Sequence, residues 1–237
     1  MTLRIAQSIV LILYGLMIGF YYFAGKLAFL VNPFYNNLIL AGGIFVFLVG
    51  GYMFLTAKRF PGHQHSSSFS QWMQWGLLAL PLVFTVVFIP QPLSSQSALV
   101  RGVTQDLSTG EGISPIAFGK PPQERTLTEW VRILNYDPEP DHHAGQPVEI
   151  EAMVLVHDEL PENYFYLSQF LLTCCAADAR SVVLPVHYDP GQFTPISDQW
   201  IRLEGQMAEG ELEGHRQGVI EYVNHQEIEV PENPYAE

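Results

Sequence analysis

Residues 1–92 contain no aspartate or glutamate, and their basic residues are only Arg4, Lys26, Lys58 and Arg59. Long uncharged apolar runs lie between these positions. A helix of roughly 20 apolar residues crosses the hydrocarbon core of a bilayer, and a backbone in lipid must satisfy its own hydrogen bonds. We therefore predict that residues 1–92 form a membrane domain of three helices. Their expected spans are Ile5–Gly25, Leu38–Ala57 and Trp72–Ile89.

The distribution of basic residues predicts the orientation of these helices. Lys and Arg near spans concentrate on the cytoplasmic side. With the N-terminus inside, Arg4, Lys58 and Arg59 are cytoplasmic and only Lys26 is outside. We expect a multi-pass protein of the cell membrane whose C-terminal domain is extracytoplasmic. A removable signal peptide in residues 1–25 is the weaker alternative, because two further apolar runs follow.

The remainder of the chain is acidic. All 24 acidic residues follow position 92, and the whole chain carries a formal net charge of −13. A nucleic-acid partner would require a basic surface, so this composition argues against one.

Residues 93–125 are rich in Ser, Gly, Pro and Gln, which predicts a linker. A short helix is expected to follow in "TLTEWVRIL" (126–134), with Thr126 as its N-cap and Glu129 three places further on, the spacing of a capping box. Leu127, Trp130, Val131 and Leu134 would form its apolar face.

From Pro147 the hydrophobic period changes to two, and five strand-like runs occur in about 85 residues. We predict that residues 126–237 form an all-β domain with a short preceding helix, specifically an OB-like five-stranded barrel, because closure removes exposed sheet edges. A plain five-stranded sandwich is the alternative. The sequence has no GxGxxG or GxxxxGKS phosphate loop.

Both cysteines of the chain are adjacent, in "FLLTCCAADARSVVLPV" (170–186). Neighbouring Cα atoms are about 3.8 Å apart, below the range of roughly 4.4–6.8 Å that a relaxed disulfide prefers. The thiols are therefore free, bridged to another chain or bound to a ligand. Neighbours on a regular strand face opposite sides, so they can share a ligand only where the strand ends or bulges. "AADA" after them favours such a break.

Two thiols and a nearby carboxylate suit a soft metal such as zinc. The candidate ligands are Cys174, Cys175, Asp178 and His187. His157, also at a strand end, is a further histidine that the barrel could bring close. The structural alternative is that one cysteine packs as a small apolar residue and Asp178 caps the turn. No CxxC pair supports the metal hypothesis, and no GxSxG or HExxH motif is present, so we do not expect an enzyme.

The blocks "TLTEW", "GQPVEIEAMVLV", "FLLTCCAADARSVVLPV", "WIRLEGQM" and "PENPYAE" together resemble the YcgQ-like family of uncharacterised bacterial membrane proteins. The resemblance covers about residues 126–237, and "CCAADA" is its most specific element. In that family the protein is paired with a multi-span permease. The resemblance implies an accessory subunit of a two-component permease for a small solute or metal ion, with Cys174, Cys175 and Asp178 carrying any family function.

Three functions are compatible with these observations. The first is the accessory permease subunit, with a thiol-based metal site in the external domain. The second is a membrane-anchored metal or redox sensor. The third is a non-catalytic external module that binds another protein through a face of its barrel, since OB-like folds carry many unrelated functions.

Overall fold

The computed structural model describes residues 2–57, 68–88, 90–105, 119–212 and 214–236. The predicted end of the third span at Ile89 and positions 106–118 of the predicted linker lie outside these residues. The chain divides into two compact units, Met1–Pro92 and Leu93–Glu237. Each unit is described by itself.

The N-terminal unit contains three helices: α1 (Thr2–Phe23), α2 (Asn36–Thr56) and α3 (Ser68–Val87). Among the described residues, two helical stretches are long and apolar enough to cross a membrane, Arg4–Phe23 and Pro33–Thr56. Helix α3 contains Pro81 and a shorter apolar stretch, Gly76–Thr85. The first two predicted spans therefore coincide with candidate membrane helices, and the third stays a prediction.

Helices α1 and α2 pack closely because glycines lie at their contact. A Cβ added at Gly15 would come within 2.6 Å of Phe47, and one added at Gly43 would come within 2.7 Å of Ile18. Small residues permit this approach between membrane helices. Gly42, next to Gly43, would meet nothing within 4 Å.

The C-terminal unit begins with helix α4 (Ser95–Arg101) and the two-residue strand β1 (Val103–Thr104). This part of the predicted linker is thus structured. Helix α5 (Leu127–Tyr136) then begins at its N-cap Thr126. The predicted capping box is confirmed, because Thr126 Oγ1 accepts from the Glu129 amide at 3.3 Å and the Glu129 carboxylate accepts from the Thr126 amide at 2.9 Å.

Six more strands complete a mixed seven-stranded sheet. Their bounds are β2 (Pro147–Leu155), β3 (Tyr164–Leu171), β4 (Arg180–His187), β5 (Trp200–Leu212), β6 (His215–Glu227) and β7 (Tyr235–Ala236). The order is β1-β4-β6-β5-β2-β3-β7, and β3 also pairs with β4. The five long strands therefore pair in a closed ring, antiparallel except between β4 and β6.

The core follows from the alternation in the strands. Val148, Ile150, Ala152 and Val154 are buried inside the ring with the fully buried Trp130 of α5. Met153 and Leu155, which the alternation assigns to the opposite face of β2, are also buried. They belong to a second apolar cluster that includes Ala98 of α4. The second face of β2 is therefore covered by this cluster, to which α4 contributes Ala98.

Candidate functional site

The chain leaves its extended path at the cysteines. Strand β3 ends at Leu171 and β4 begins at Arg180. The connection contains a single 3₁₀ turn, Ala176–Asp178, which begins directly after Cys175. A break of this kind is the condition under which neighbouring side chains can point to the same place.

The two thiols are free and close together. Cys174 is exposed, Cys175 is partly buried, and their Sγ atoms are 3.7 Å apart. An oxygen of Asp178 completes a group of three potential metal ligands whose atoms all lie within 4.8 Å of one another. It is the one group of three or more such residues among the described parts of the chain.

Asp178 organises this turn through the backbone. Its carboxylate accepts from the amide of Cys174 at 2.8 Å, from that of Thr173 at 3.1 Å, and from that of Cys175 at 3.4 Å. Aspartate commonly accepts such local bonds where regular structure ends. Partial burial works to raise the pKa of Asp178, but hydrogen bonds from the Cys174 thiol and these amides outweigh it and hold the pKa below its usual range.

The carboxylate has the opposite effect on its neighbour. The pKa of the Cys174 thiol is raised to about 12, first by its hydrogen bond with Asp178 and then by the adjacent Cys175 thiol. Without a bound cation, Cys174 therefore remains protonated at neutral pH. A metal ion must displace this proton, because the thiolate is the form that binds metals.

His187 is not brought to this group. It lies at the far end of β4, where it pairs with Tyr164, whereas the turn joins the other ends of the strands, at Leu171 and Arg180. The separation along the strand is about 23 Å, from seven residues at 3.3 Å each. The His187 ring lies 2.8 Å from both the Glu221 carboxylate and the Asn163 amide. His157 follows β2, whose end pairs with the same distant end of β3.

Arg101 is a residue of the site that the sequence analysis missed. From the end of α4, its Nη1 donates to the carbonyl of Ala176 at 2.8 Å and to that of Ala179 at 3.2 Å. These carbonyls flank the aspartate of the turn. Arg101 lies 73 residues before Cys174 in a segment of low periodicity, and no local motif marks it.

A second concave feature lies between α5 and strands β4 and β6. It is a cleft of about 170 Å³ whose walls include Val131, Leu134 and Val183. Its charged lining residue, Arg216, is already paired with Glu209, Asp141 and Glu139. The cleft offers a ligand both apolar side chains and polar ones such as Asn135 and Gln217. It lacks the thiols and the carboxylate of the cysteine turn.

Two thiols and a carboxylate on one turn define the site as a candidate soft-metal site on a β-domain that follows apolar helices. Residues 125–236, just under half of the chain, match the DUF1980 C-terminal domain, a family of unknown function. The match covers the ring of strands and the whole cysteine turn. Comparison with curated proteins and with solved structures gives no significant match.

Proposed function

We propose that the C-terminal unit binds one soft metal ion through Cys174 and Cys175. The observation that carries this proposal is the pair of free sulfurs 3.7 Å apart beyond the end of a strand. Two sulfurs that each lie about 2.3 Å from a tetrahedral zinc ion are about 3.8 Å apart. A linear two-coordinate ion with the same bond lengths would hold them about 4.6 Å apart. The spacing thus favours a tetrahedral ion such as zinc.

The ligand set is incomplete for a structural site. Asp178 orders the turn and offers a third ligand atom, and the described residues provide no fourth in this group. Closed four-ligand sites are structural, whereas sites with three protein ligands keep a position for an exchangeable ligand. An open position suits a site that receives and releases its ion, as an accessory subunit or a sensor would.

A non-enzymatic role is also part of this proposal. A nucleophilic cysteine needs a lowered pKa, and the Cys174 pKa is raised by the carboxylate beside it. The raised pKa thus disfavours Cys174 as a nucleophile in covalent catalysis.

We further infer that the ring of five long strands is an OB-like barrel. In chain order the long strands pair first–second–third–fifth–fourth–first, with the third and fifth parallel. This is the Greek-key arrangement of that fold. The short helix α5 precedes the first long strand and contributes Trp130 to the interior.

We propose that all three helices of the N-terminal unit span the cell membrane and that the C-terminal unit is extracytoplasmic. Hydrogen bonds from Tyr14 to Leu78 and from Tyr21 to Thr85 support α3 as part of one helical bundle. With the N-terminus inside, three spans place residues 93–237 outside the cell. A C-terminal alkaline phosphatase fusion should be active and a fluorescent-protein fusion dark. The reverse result would place the C-terminal unit in the cytoplasm and contradict the proposed topology.

The partner that we propose is a multi-span permease subunit. The resemblance in "TLTEW" and "CCAADA" supports this pairing, and the helices support it in two ways. Apolar side chains such as Phe20, Leu55 and Leu77 are exposed on the N-terminal unit. Ionisable groups within a membrane commonly mark ion pathways, and the predicted spans contain no acidic residue. A solute pathway would thus require another subunit.

Metal binding can be tested on the full chain in mild detergent. After equilibration with zinc and removal of excess ion, elemental analysis should find about one zinc per wild-type chain and none in Cys174→Ser/Cys175→Ser. His187→Gln is the matched control, because it removes a zinc-type ligand that lies far from the turn. A metal-free wild-type protein, or equal loss of zinc in the His187 variant, would contradict the proposed site.

The partner is tested by crosslinking in native membranes followed by mass spectrometry. A multi-span protein should be recovered with the full chain. Recovery of a lone metal-binding protein would favour the sensor hypothesis. If the double cysteine variant instead retained full cellular activity, the external unit would be an interaction module.

A further inference from the structure

The cysteine turn is held from two sides. Inside the turn, the Asp178 carboxylate accepts hydrogen bonds from the three backbone amides that precede the 3₁₀ turn. Outside it, the Arg101 guanidinium donates to the carbonyls of Ala176 and Ala179. The hydrogen bonds to Asp178 hold the backbone of the two cysteines. The hydrogen bonds from Arg101 hold the backbone where the turn ends and the chain continues into β4.

Helix α4, which carries Arg101, is itself fastened to the sheet. At its start, the amide of Ser95 donates to the Asp198 carboxylate. Asp198 precedes β5 and has a φ of 70°, an uncommon conformation that aspartate tolerates better than most residues. In the middle, Ala98 is completely buried in the same apolar cluster as Ala179 of the turn.

Beyond Arg101 the chain stays beside the site. Gly102 has a φ of 84°, which favours glycine, and it connects α4 to β1. Strand β1 then pairs with the first residues of β4, with Val103 opposite Ser181. In the opposite direction along the sequence, α4 lies close to the N-terminal helices: α3 ends at Val87 and α4 begins at Ser95.

We propose that Arg101 is a positioning residue of the thiol site, and that α4 couples the occupancy of this site to the segment that leads to the membrane helices. This inference rests on the proposed metal binding. A metal ion on both thiolates requires the turn to keep one shape, and Arg101 holds two carbonyls of that shape. Coupling between sites is reciprocal, so a bound ion should also strengthen the hold of the turn on Arg101 and α4.

The direction in which the zinc affinity changes when Arg101 is replaced distinguishes a positioning role from a simple electrostatic one. Removing a positive charge near a cation site should strengthen cation binding by Coulomb's law. Loss of a positioning group should weaken it instead. We expect Arg101→Met to raise the dissociation constant for zinc about tenfold, the effect of losing hydrogen bonds from a charged donor.

A conservative variant tests the geometry. Both contacts come from one nitrogen, Nη1, and a lysine ammonium has three donors on one nitrogen. Arg101→Lys should therefore stay within about threefold of wild type, well short of the loss in Arg101→Met. Arg202→Met is the matched control, because Arg202 is a partly exposed arginine that pairs with Glu151 on the sheet. The zinc affinity of this variant should not fall.

The experiment uses the full chain in lipid nanodiscs, with zinc as the probe and a chromophoric chelator as competitor. Hydrogen exchange, read by mass spectrometry with and without zinc, gives the reciprocal measurement. Zinc should slow amide exchange in residues 95–102 of wild type and have little effect there in Arg101→Met.

Each outcome has a distinct meaning. If the wild type binds no zinc, the proposed function fails and this inference fails with it. If the wild type binds zinc but Arg101→Met binds it equally or more tightly, the metal site stands and the positioning role is wrong. If Arg101→Met binds zinc more weakly but amide exchange in α4 of the wild type does not change with zinc, Arg101 positions the turn without coupling it to α4. That result would refute the coupling.

Discussion

The most direct test of the turn is the reactivity of Cys174 toward alkylation. The perturbation is Asp178→Asn in a Cys175→Ser background, so that Cys174 is the single thiol of the chain. Asp178 is the first cause of the raised Cys174 pKa. The asparagine variant removes its charge and leaves a neutral amide oxygen, which is a weaker acceptor for the thiol. We expect alkylation to be slow in the parent and faster in the Asp178 variant.

The magnitude follows from the fraction of thiolate. At pH 8 an ordinary thiol with a pKa near 8.5 is about one quarter thiolate, whereas a thiol with a pKa of about 12 is thiolate in roughly one molecule in ten thousand. The ratio is roughly 2,000-fold. Nucleophilicity rises with pKa, with a Brønsted slope of about 0.4–0.5, which offsets roughly 40-fold. Cys174 of the wild-type chain should therefore react about 50-fold more slowly than an ordinary thiol. In the Cys175→Ser parent, which keeps Asp178 but loses the second cause of the raised pKa, the slowing should be smaller.

The assay is iodoacetamide labelling of the full chain in detergent, followed by intact-mass spectrometry from pH 7 to 11. In the metal-free parent the rate should rise about tenfold per pH unit across most of this range, because Asp178, the first cause of the raised Cys174 pKa, is still present. In Asp178→Asn the rate should be higher and level off at a lower pH. A parent rate equal to that of an unfolded control peptide would refute the reasoning about the turn.

Two further predictions concern the scaffold. Gly43→Leu should lower the thermal stability of the detergent-solubilised chain, because even a Cβ at this position would lie 2.7 Å from a side chain of α1. Gly42→Leu is its matched control, because a Cβ at Gly42 would meet nothing within 4 Å, and equal losses would contradict close packing at Gly43. Thr126→Ala should reduce the free energy of unfolding of the C-terminal unit by about 1 kcal/mol, because it removes an N-cap hydrogen bond. Urea unfolding followed by tryptophan fluorescence would measure this loss, and Thr194→Ala, outside helices and strands, should leave the stability near that of wild type.

Local patterns in the sequence predict much of the C-terminal unit. The capping box at Thr126 and the apolar spacing after it depend only on residues within one helix, so α5 is found at nearly its observed bounds. Strict alternation likewise finds β2 and its inward residues. The alternation fails at Met153 and Leu155, because it assumes that one face of the strand meets solvent. That face is covered by a cluster that includes α4, from a segment whose composition suggests a linker.

The candidate site also has features that local sequence patterns predict and one that they do not. The convergence of Cys174, Cys175 and Asp178 is local, and the small residues after the cysteines indicate the break that permits it. The distance to His187 could also have been deduced from the sequence. If the cysteine turn joins two antiparallel strands, a histidine at the end of the second strand must lie at the opposite end of the hairpin. Arg101 could not be identified from the sequence, because its contact with the turn depends on how α4, which is distant in sequence, packs against the sheet.

The adjacency of the cysteines can be understood from the same geometry. In an oxidising compartment, two thiols placed for a metal ion are usually also placed for a disulfide. Neighbouring residues avoid this, because Cα atoms about 3.8 Å apart are too close for a relaxed bond. On a strand the same neighbours would face opposite ways. After the break that follows β3, the Asp178 carboxylate accepts hydrogen bonds from the cysteine backbone, and the two sulfurs lie 3.7 Å apart. The raised pKa keeps Cys174 protonated, which makes the thiol less reactive at neutral pH. The adjacency of the cysteines and the raised Cys174 pKa both oppose oxidation of the pair, and the adjacency is compatible with the metal binding that we propose.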